Sequence, residues 1–330
     1  MLRGIALGVA APALTTTPAA SASAAPAPAS APAAGDRTSR AAAGAASGAT
    51  AAASFRWLGT SGWRIDSGGR TLLFDPYLTR YDTGLFSGAF DDRTRLRTDE
   101  RLVREHAGEP AVVLVSHSHW DHINDVPHIA RTTGARVVGT ETTYHLLRSL
   151  GVAADRLVVV RGGEVLDFDG WVVEVAASRH SRNSTYGYFA PGTLNAPPAR
   201  APRTIGELPE GDTLAFQVTP PGGPTAFLMG GSDFSERDTE GLRPDLAMVA
   251  VPGGGATHRY LPRLLAALGH PRTVVPVHWD NFETPLADPA EPAPGVDLAD
   301  FAARVREESP AAQVVVPEYL TPYDWSRPPV

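Results

Sequence analysis

Directly after the apolar run Ala111-Val112-Val113-Leu114-Val115 the chain reads Ser116-His117-Ser118-His119-Trp120-Asp121-His122. An uninterrupted apolar run of this length predicts a buried strand, so the ligand-type side chains stand at a strand exit. In extended backbone successive side chains alternate faces, which puts His117 and His119 on one side and Ser118 and Trp120 on the other. Two imidazoles can therefore share one ion. If the chain turns into a helix near Ile123, Asp121 and His122 lie at the turn and seed a second cluster. A lone histidine on an apolar face is more often structural than ligating, but the pattern His-x-His-x-Asp-His at a strand end points to metal.

Composition narrows the alternatives. The net charge is −7, and no basic block offers a footprint for nucleic acid. All 29 basic residues are arginines, which with the heavy Ala, Gly and Pro usage reads as coding bias. Cysteine is absent, which removes disulfides, thiolate ligands and cysteine nucleophiles. Residues 1–53 form a first segment: Arg3, a short apolar run and Ala-x-Ala sites such as Ala20-Ser21-Ala22 resemble a secretory signal, followed by an Ala/Pro-rich disordered stretch. This predicts export to the periplasm or the outside, or a cytoplasmic protein if the segment is only a disordered tail. The run is too short for a stable membrane span.

Residues 54–330 read as one domain. Three short strands over 55–59, 62–66 and 71–75, with the Ser67-Gly68-Gly69 hairpin between the last two, predict an antiparallel beginning. A helix over 98–106 precedes the 111–115 strand. Further strands are expected at 136–139, 157–160, 171–175, 214–218, 226–229, 246–251 and 274–277, and helices at 125–131, 142–150 and 258–268. Strand 246–251 leads to Gly253-Gly254-Gly255. The Pro-rich stretch 189–212 cannot form a long regular element and reads as an insertion loop, a candidate lid. Two runs of strands each followed by helices suggest two similar halves.

Ligand-type residues recur at strand ends: the 117–122 motif, then His180, then Asp233, then His278. In layered α/β folds such ends converge on a common site. This ordered set resembles the metallo-β-lactamase-fold hydrolase superfamily. Asp75 after the third strand fits its first motif, and Val277-His278-Trp279-Asp280-Asn281-Phe282 fits its last. The match runs from about Phe55 to Phe282, and within the superfamily it is nearest the L-ascorbate-6-phosphate lactonase-like and N-acylphosphatidylethanolamine phospholipase D-like branch. The resemblance implies an α/β fold, a four-layer αβ/βα sandwich with a dinuclear site on one edge. It implies that His117, His119 and His180 bind one metal, that Asp121, His122 and His278 bind a second, and that Asp233 bridges both. Asp75 would orient a ligand imidazole.

Imidazoles and carboxylates suit two divalent ions, zinc first, with manganese or iron able to occupy similar sites. Such a pair can acidify a shared water toward pH ~7 and hold hydroxide for attack on an ester, lactone or phosphodiester. Asp121 or Asp233 would then take the catalytic proton. The acid in Gly230-Gly231-Ser232-Asp233 departs from the commoner Gly-Asp-Thr or Gly-Asp-Ser form. Trp120, Tyr186, Tyr188, Phe189, Trp279 and Phe282 lie around the ligands in sequence, and Leu85, Phe86 and Phe90 add to them. If several rim the cleft, the small-molecule substrate is apolar or acyl-bearing. Arg179 and Arg182 beside His180 keep a phosphate group in view. His258, Trp279 and Asn281 are candidate substrate residues. The alternatives are a β-lactam hydrolase and a non-catalytic metal-binding or sensing module.

Overall fold

The computed structural model describes residues 53–251, 256–286 and 289–326, all within one compact unit, Gly48–Val330. The signal-like segment before residue 53 and the glycine run at 253–255 lie outside the described residues.

Fourteen strands form two seven-stranded mixed sheets among the described residues. The first sheet is built from β1 (Ala53–Gly59), β2 (Gly62–Ser67), β3 (Arg70–Phe74), β4 (Pro110–Leu114), β5 (Arg136–Gly139), β6 (Leu157–Val159) and β14 (Pro322–Trp325). Its order is β14-β1-β2-β3-β4-β5-β6, antiparallel as far as β3 and parallel from β3 to β6. The second is built from β7 (Val165–Phe168), β8 (Trp171–Ala177), β9 (Leu214–Thr219), β10 (Ala226–Met229), β11 (Leu246–Ala250), β12 (Thr273–Val277) and β13 (Gln313–Val314). It runs β13-β12-β11-β10-β9-β8-β7, antiparallel from β7 to β10 and parallel beyond. Each half thus opens antiparallel and continues parallel. The antiparallel start arises from the Gly68 and Gly69 turn, both at positive φ, which the right-handed twist of a tight hairpin requires.

Helices α1 (Glu100–Ala107), α2 (Trp120–Ile123), α3 (Val126–Thr133) and α4 (Glu141–Ser149) follow strands of the first sheet. Helices α5 (Glu236–Thr239), α6 (Tyr260–Ala267) and α7 (Leu298–Glu308) follow strands of the second. Three starts, those of α1, α4 and α7, are capped by short polar side chains: Asp99 accepts from the Leu102 amide, Thr140 from Thr143 and Asp297 from Asp300. One apolar core joins Phe55, Trp57, Phe74, Phe216 and Phe227 to α6 and α7 side chains; a second joins Leu73, Val113 and Val115 to Val103, Ile129 and Leu146. Sheet against sheet with helices outside is an α/β sandwich, as expected.

The elements not foreseen are β7, β13, β14, α5 and α7. β13 and β14 are two and four residues long, too short for their period to stand out. The 189–212 stretch has no long element, but it is docked and not loose. Its Ile205 and Leu208 are buried in the second core, and the Ile205 amide bonds to the Thr94 carbonyl at 3.0 Å.

Candidate metal centre

Strand β4 ends at Leu114, and a last ladder bond from the Val115 amide to Val138 O at 2.9 Å holds the exit in place. Ser116 to His119 then run irregularly, and α2 begins at Trp120, three residues earlier than the motif suggested. Asp121 and His122 are therefore carried on the first turn of a helix. His119 is its extended N-cap and stays on the approach side. His180 follows β8, and His278 follows β12, where it adopts φ +58 and its amide donates to Thr60 O at 2.8 Å.

The residues meet in two triads. The ligand atoms of His117, His119 and His180 lie within 4.8 Å of one another, and so do those of Asp121, His122 and His278. The rings of His117 and His122 are 3.9 Å apart, so the triads adjoin. Each first-triad imidazole is oriented from its far side: His117 Nδ1 is 3.0 Å from Ser116 Oγ, His180 Nδ1 is 2.7 Å from Ser181 O, and His119 bonds to the Ala190 backbone. In the second triad Asp75, fully buried, lies with Oδ2 2.8 Å from His122 Nδ1 and accepts from the amide and hydroxyl of Ser116. Asp121 Oδ2 is 3.3 Å from His122 Nε2 and 3.2 Å from His278 Nε2.

This wiring leaves the Nε2 atoms of His117 and His119 buried with no hydrogen-bond partner, while His122 Nε2 faces only Asp121. Two orphaned ring nitrogens in one place are costly in a protein interior unless something fills the gap they face. A divalent cation does so, and the residues fit it. The protonation states agree. Burial, then the neighbouring imidazoles, pushes His117 well below the usual histidine range; burial first brings His119 to about 3 and His180 to about 4. These three rings are neutral at pH 7, the form in which an imidazole can hold a cation. Burial also opposes charge on Asp121 and on His122, but their mutual attraction outweighs it. Asp121, beside His122 and His278, is held well below the carboxylate range, and His122, between Asp121 and Asp75, is raised to about 10 without metal, so a cation held by the second triad would have to displace a proton from its Nε2.

Four of the expected site residues lie outside the two triads. Asp233 joins neither triad: the glycines before it are required for contact, since a Cβ at Gly230 would stand 2.1 Å from Ser116 Oγ and one at Gly231 3.4 Å from the His180 Cα. Asp233 pairs through its backbone with Arg179, its Oδ1 accepts from the Phe234 amide at 2.8 Å, and its charge acts on Tyr260 and Arg263. Trp279 faces away from the triads, 3% exposed and stacked on Trp57 at 5.1 Å. Asn281 is spent on its own turn, accepting from the Glu283 amide at 3.1 Å. His258 is exposed before α6, where its carbonyl accepts from Arg263.

Several of the aromatic residues expected around the ligands do reach the site, and one acid joins them unannounced. Tyr188 stacks on His180 at 4.8 Å and hydrogen-bonds Glu210, a carboxyl raised above its usual range by burial. Glu210 has no sequence signal, because its partner is assembled by tertiary contact. Phe189 lies 5.4 Å from His119 and Phe282 5.2 Å from His278, with Trp120 touching both phenyl rings. Trp120 thus turns from the imidazoles to join this aromatic wall. A cavity of about 530 Å³ around Tyr260 and Phe301 contains none of the triad residues, and chemistry places the site at the triads.

A sandwich of this kind with paired His/Asp triads at its edge defines a metal-dependent hydrolase. Residues 54–278 match the β-lactamase superfamily domain, and the chain belongs to that family. It is 23% identical over 265 residues to a metal-dependent hydrolase of Pyrobaculum arsenaticum, covering 79% of this chain and 95% of that one. It is 26% identical over 269 residues to one of Symbiobacterium thermophilum, again covering 79% and 95%. In fold it is similar to a metallo hydrolase from the archaeon Ignicoccus hospitalis, with a TM-score of 0.52 at 18% identity over 82% of this chain and 97% of that one.

Proposed function

We propose that this hydrolase cleaves the ester or lactone bond of a small molecule carrying an apolar group. The observation that supports the reading is the aromatic wall: Phe189 stands against the first triad and Phe282 against the second, and Phe90, 37% exposed, extends the surface from Phe189 at 5.1 Å. An apolar substituent packed there loses water-exposed area, and the scissile group is left over the imidazoles.

His117, His119 and His180 would hold one divalent ion and Asp121, His122 and His278 a second, zinc being the first choice for this donor set. When bound, such ions supply Lewis acidity toward a carbonyl or phosphoryl oxygen and make water a better nucleophile near neutral pH. The protein's part is orientation and exclusion of bulk water. Asp75 fixes the His122 ring, Ser116 Oγ fixes His117, and Asp121, kept ionised, is the acceptor nearest the centre for a proton released there. Tyr188 and Glu210 form a hydrogen-bonded pair beside His180, placed to meet a leaving group. A phosphodiester is the second reading, favoured by Arg182, whose charge acts on both Tyr188 and Glu210.

Turnover of an aryl or acyl ester, an apolar lactone, a phosphodiester and a β-lactam chromogen, run beside elemental analysis, tests this. Ester or lactone cleavage should lead; preference for the β-lactam, or none of the four turned over by metal-loaded protein, would defeat the reading. His119→Ala and Asp121→Ala should lose metal and activity together, and full metal content in both would remove these residues from the centre.

A further inference from the structure

Between the loop after β3, helix α3 and the Pro-rich stretch lies a second concavity of about 300 Å³. Its lining includes Arg95, Arg97, Arg131, Arg203 and His128, and no acidic residue. Four arginines among eleven lining residues is a local excess in a chain that carries 29 basic residues in 330 and a net charge of −7. Like charges gathered this way repel, so the arrangement gains stability when an anion enters.

The guanidinium groups are differently held. Arg97 lies over the Tyr81 ring at 4.9 Å, and Arg131 donates to Leu150 O at 2.7 Å, so both are positioned by the fold. Arg95 and Arg203 make no side-chain hydrogen bond or ion pair among the described residues. Two acids stand nearby: Glu207, paired with Arg200, also accepts the Arg203 backbone amide at 2.6 Å, and Glu100 lies 3.6 Å from His128, but neither is ion-paired with a guanidinium of the four arginines. Backbone bonds join the two segments that carry the free pair, since the Leu96 amide donates to Arg203 O at 2.9 Å and Arg95 bridges Thr204. The cluster also touches the helix bearing Asp121 and His122 through Asn124, which donates to Arg97 O at 2.8 Å.

We infer that this concavity is a binding site for a small multivalent oxyanion, a phosphate- or sulfate-bearing molecule, that clamps the Pro-rich stretch to the body of the protein. Planar guanidinium groups suit such oxygens bidentately, and the volume matches a small solute. The anion joins Arg203, on the Pro-rich stretch, to Arg95, Arg97 and Arg131 across from it. The other end of that stretch carries Phe189 and Ala190, both against His119, so its order bears on the triads.

Amide hydrogen exchange on the metal-loaded full chain tests the site, with inorganic sulfate as the probe against chloride at matched ionic strength. Sulfate should slow exchange saturably at 94–98 and 203–206. In the Arg95→Ala/Arg203→Ala variant the half-saturating concentration should rise roughly tenfold or more. Arg93→Ala, which removes a neighbouring exposed arginine paired with Asp91, should leave the response unchanged. Metal content and melting temperature of each variant verify folding. Equal protection by chloride, or an undiminished sulfate response in the double variant, would overturn the inference.

Discussion

At the scale of single residues, Asp280 ties the segment after His278 to three distant parts of the chain. It accepts the Thr60 amide at 3.0 Å, pairs with Arg80 at 2.7 Å and accepts the Tyr319 hydroxyl at 2.6 Å, with Arg80 and Asp280 both at most 1% exposed in their side chains. Thr60 in turn accepts from the His278 amide, so the pair that neutralises Arg80 also fixes a histidine held at positive φ. Asp280→Ala leaves Arg80 buried without its counter-ion and should destabilise the protein by about 3–5 kcal/mol in denaturant titration. A loss below ~1 kcal/mol would mean that water or Tyr319 satisfies Arg80.

The histidines set a pH dependence for metal-free protein. His119 and His180 titrate at about 3 and about 4 when folded, against about 6.5 when unfolded. Between those values the unfolded chain binds more protons, so this contribution to stability is complete above pH ~6.5 and is lost as pH falls toward 4 and then 3. His122 acts in the opposite sense: raised to about 10, it contributes fully below ~6.5 and loses that contribution as pH rises through about 10. Melting temperature should therefore fall on both sides of neutrality. Replacing His119 with Gln should flatten the acid side, and an unchanged acid limb would count against it.

At the scale of elements, the Pro-rich stretch divides into a docked part and an exposed tip. Ile205 and Leu208 are buried at 0% and 1%, and Leu194 bonds to Thr142, whereas residues 195–197 are exposed. Ile205→Ala should cost about 2–5 kcal/mol, as for other large-to-small core changes. Shortening 195–201 should leave melting temperature and metal content near their starting values while altering substrate preference. Loss of metal in the shortened protein would show that the tip supports the triads.

At the scale of the whole molecule, the chain closes on itself. β14 pairs with β1 over Ala53 to Arg56, and Trp325 packs on Phe55 and Trp63 at 5.2 and 6.2 Å. A chain ending at Leu320 keeps Tyr319 but exposes β1 as an edge. It should melt at lower temperature and self-associate in light scattering, because an unpaired edge recruits other strands. A monodisperse truncated protein with an unchanged melting temperature would contradict this.

Local pattern made much of this legible. The 3.6 and 2 periods located most of the strands and helices, and four adjacent ligand-type side chains at a strand exit marked the centre before any contact was known. His180 and His278 were legible for the same reason, since each comes soon after a strand that must be buried. Sequence order could not decide direction in space. Asp233 also comes after a strand, yet Gly230 and Gly231 bring the backbone itself against Ser116 and His180, and the carboxylate joins neither triad and accepts from the Phe234 amide instead. Trp279 sits one residue from a triad histidine, but it faces the core. Tyr188 with Glu210, and the arginines around the second concavity, come from segments whose proximity depends on long-range packing. Side-chain chemistry and strand periodicity are local properties that the sequence by itself determines; convergence and facing are set by how two sheets stack, and only the tertiary structure decides them.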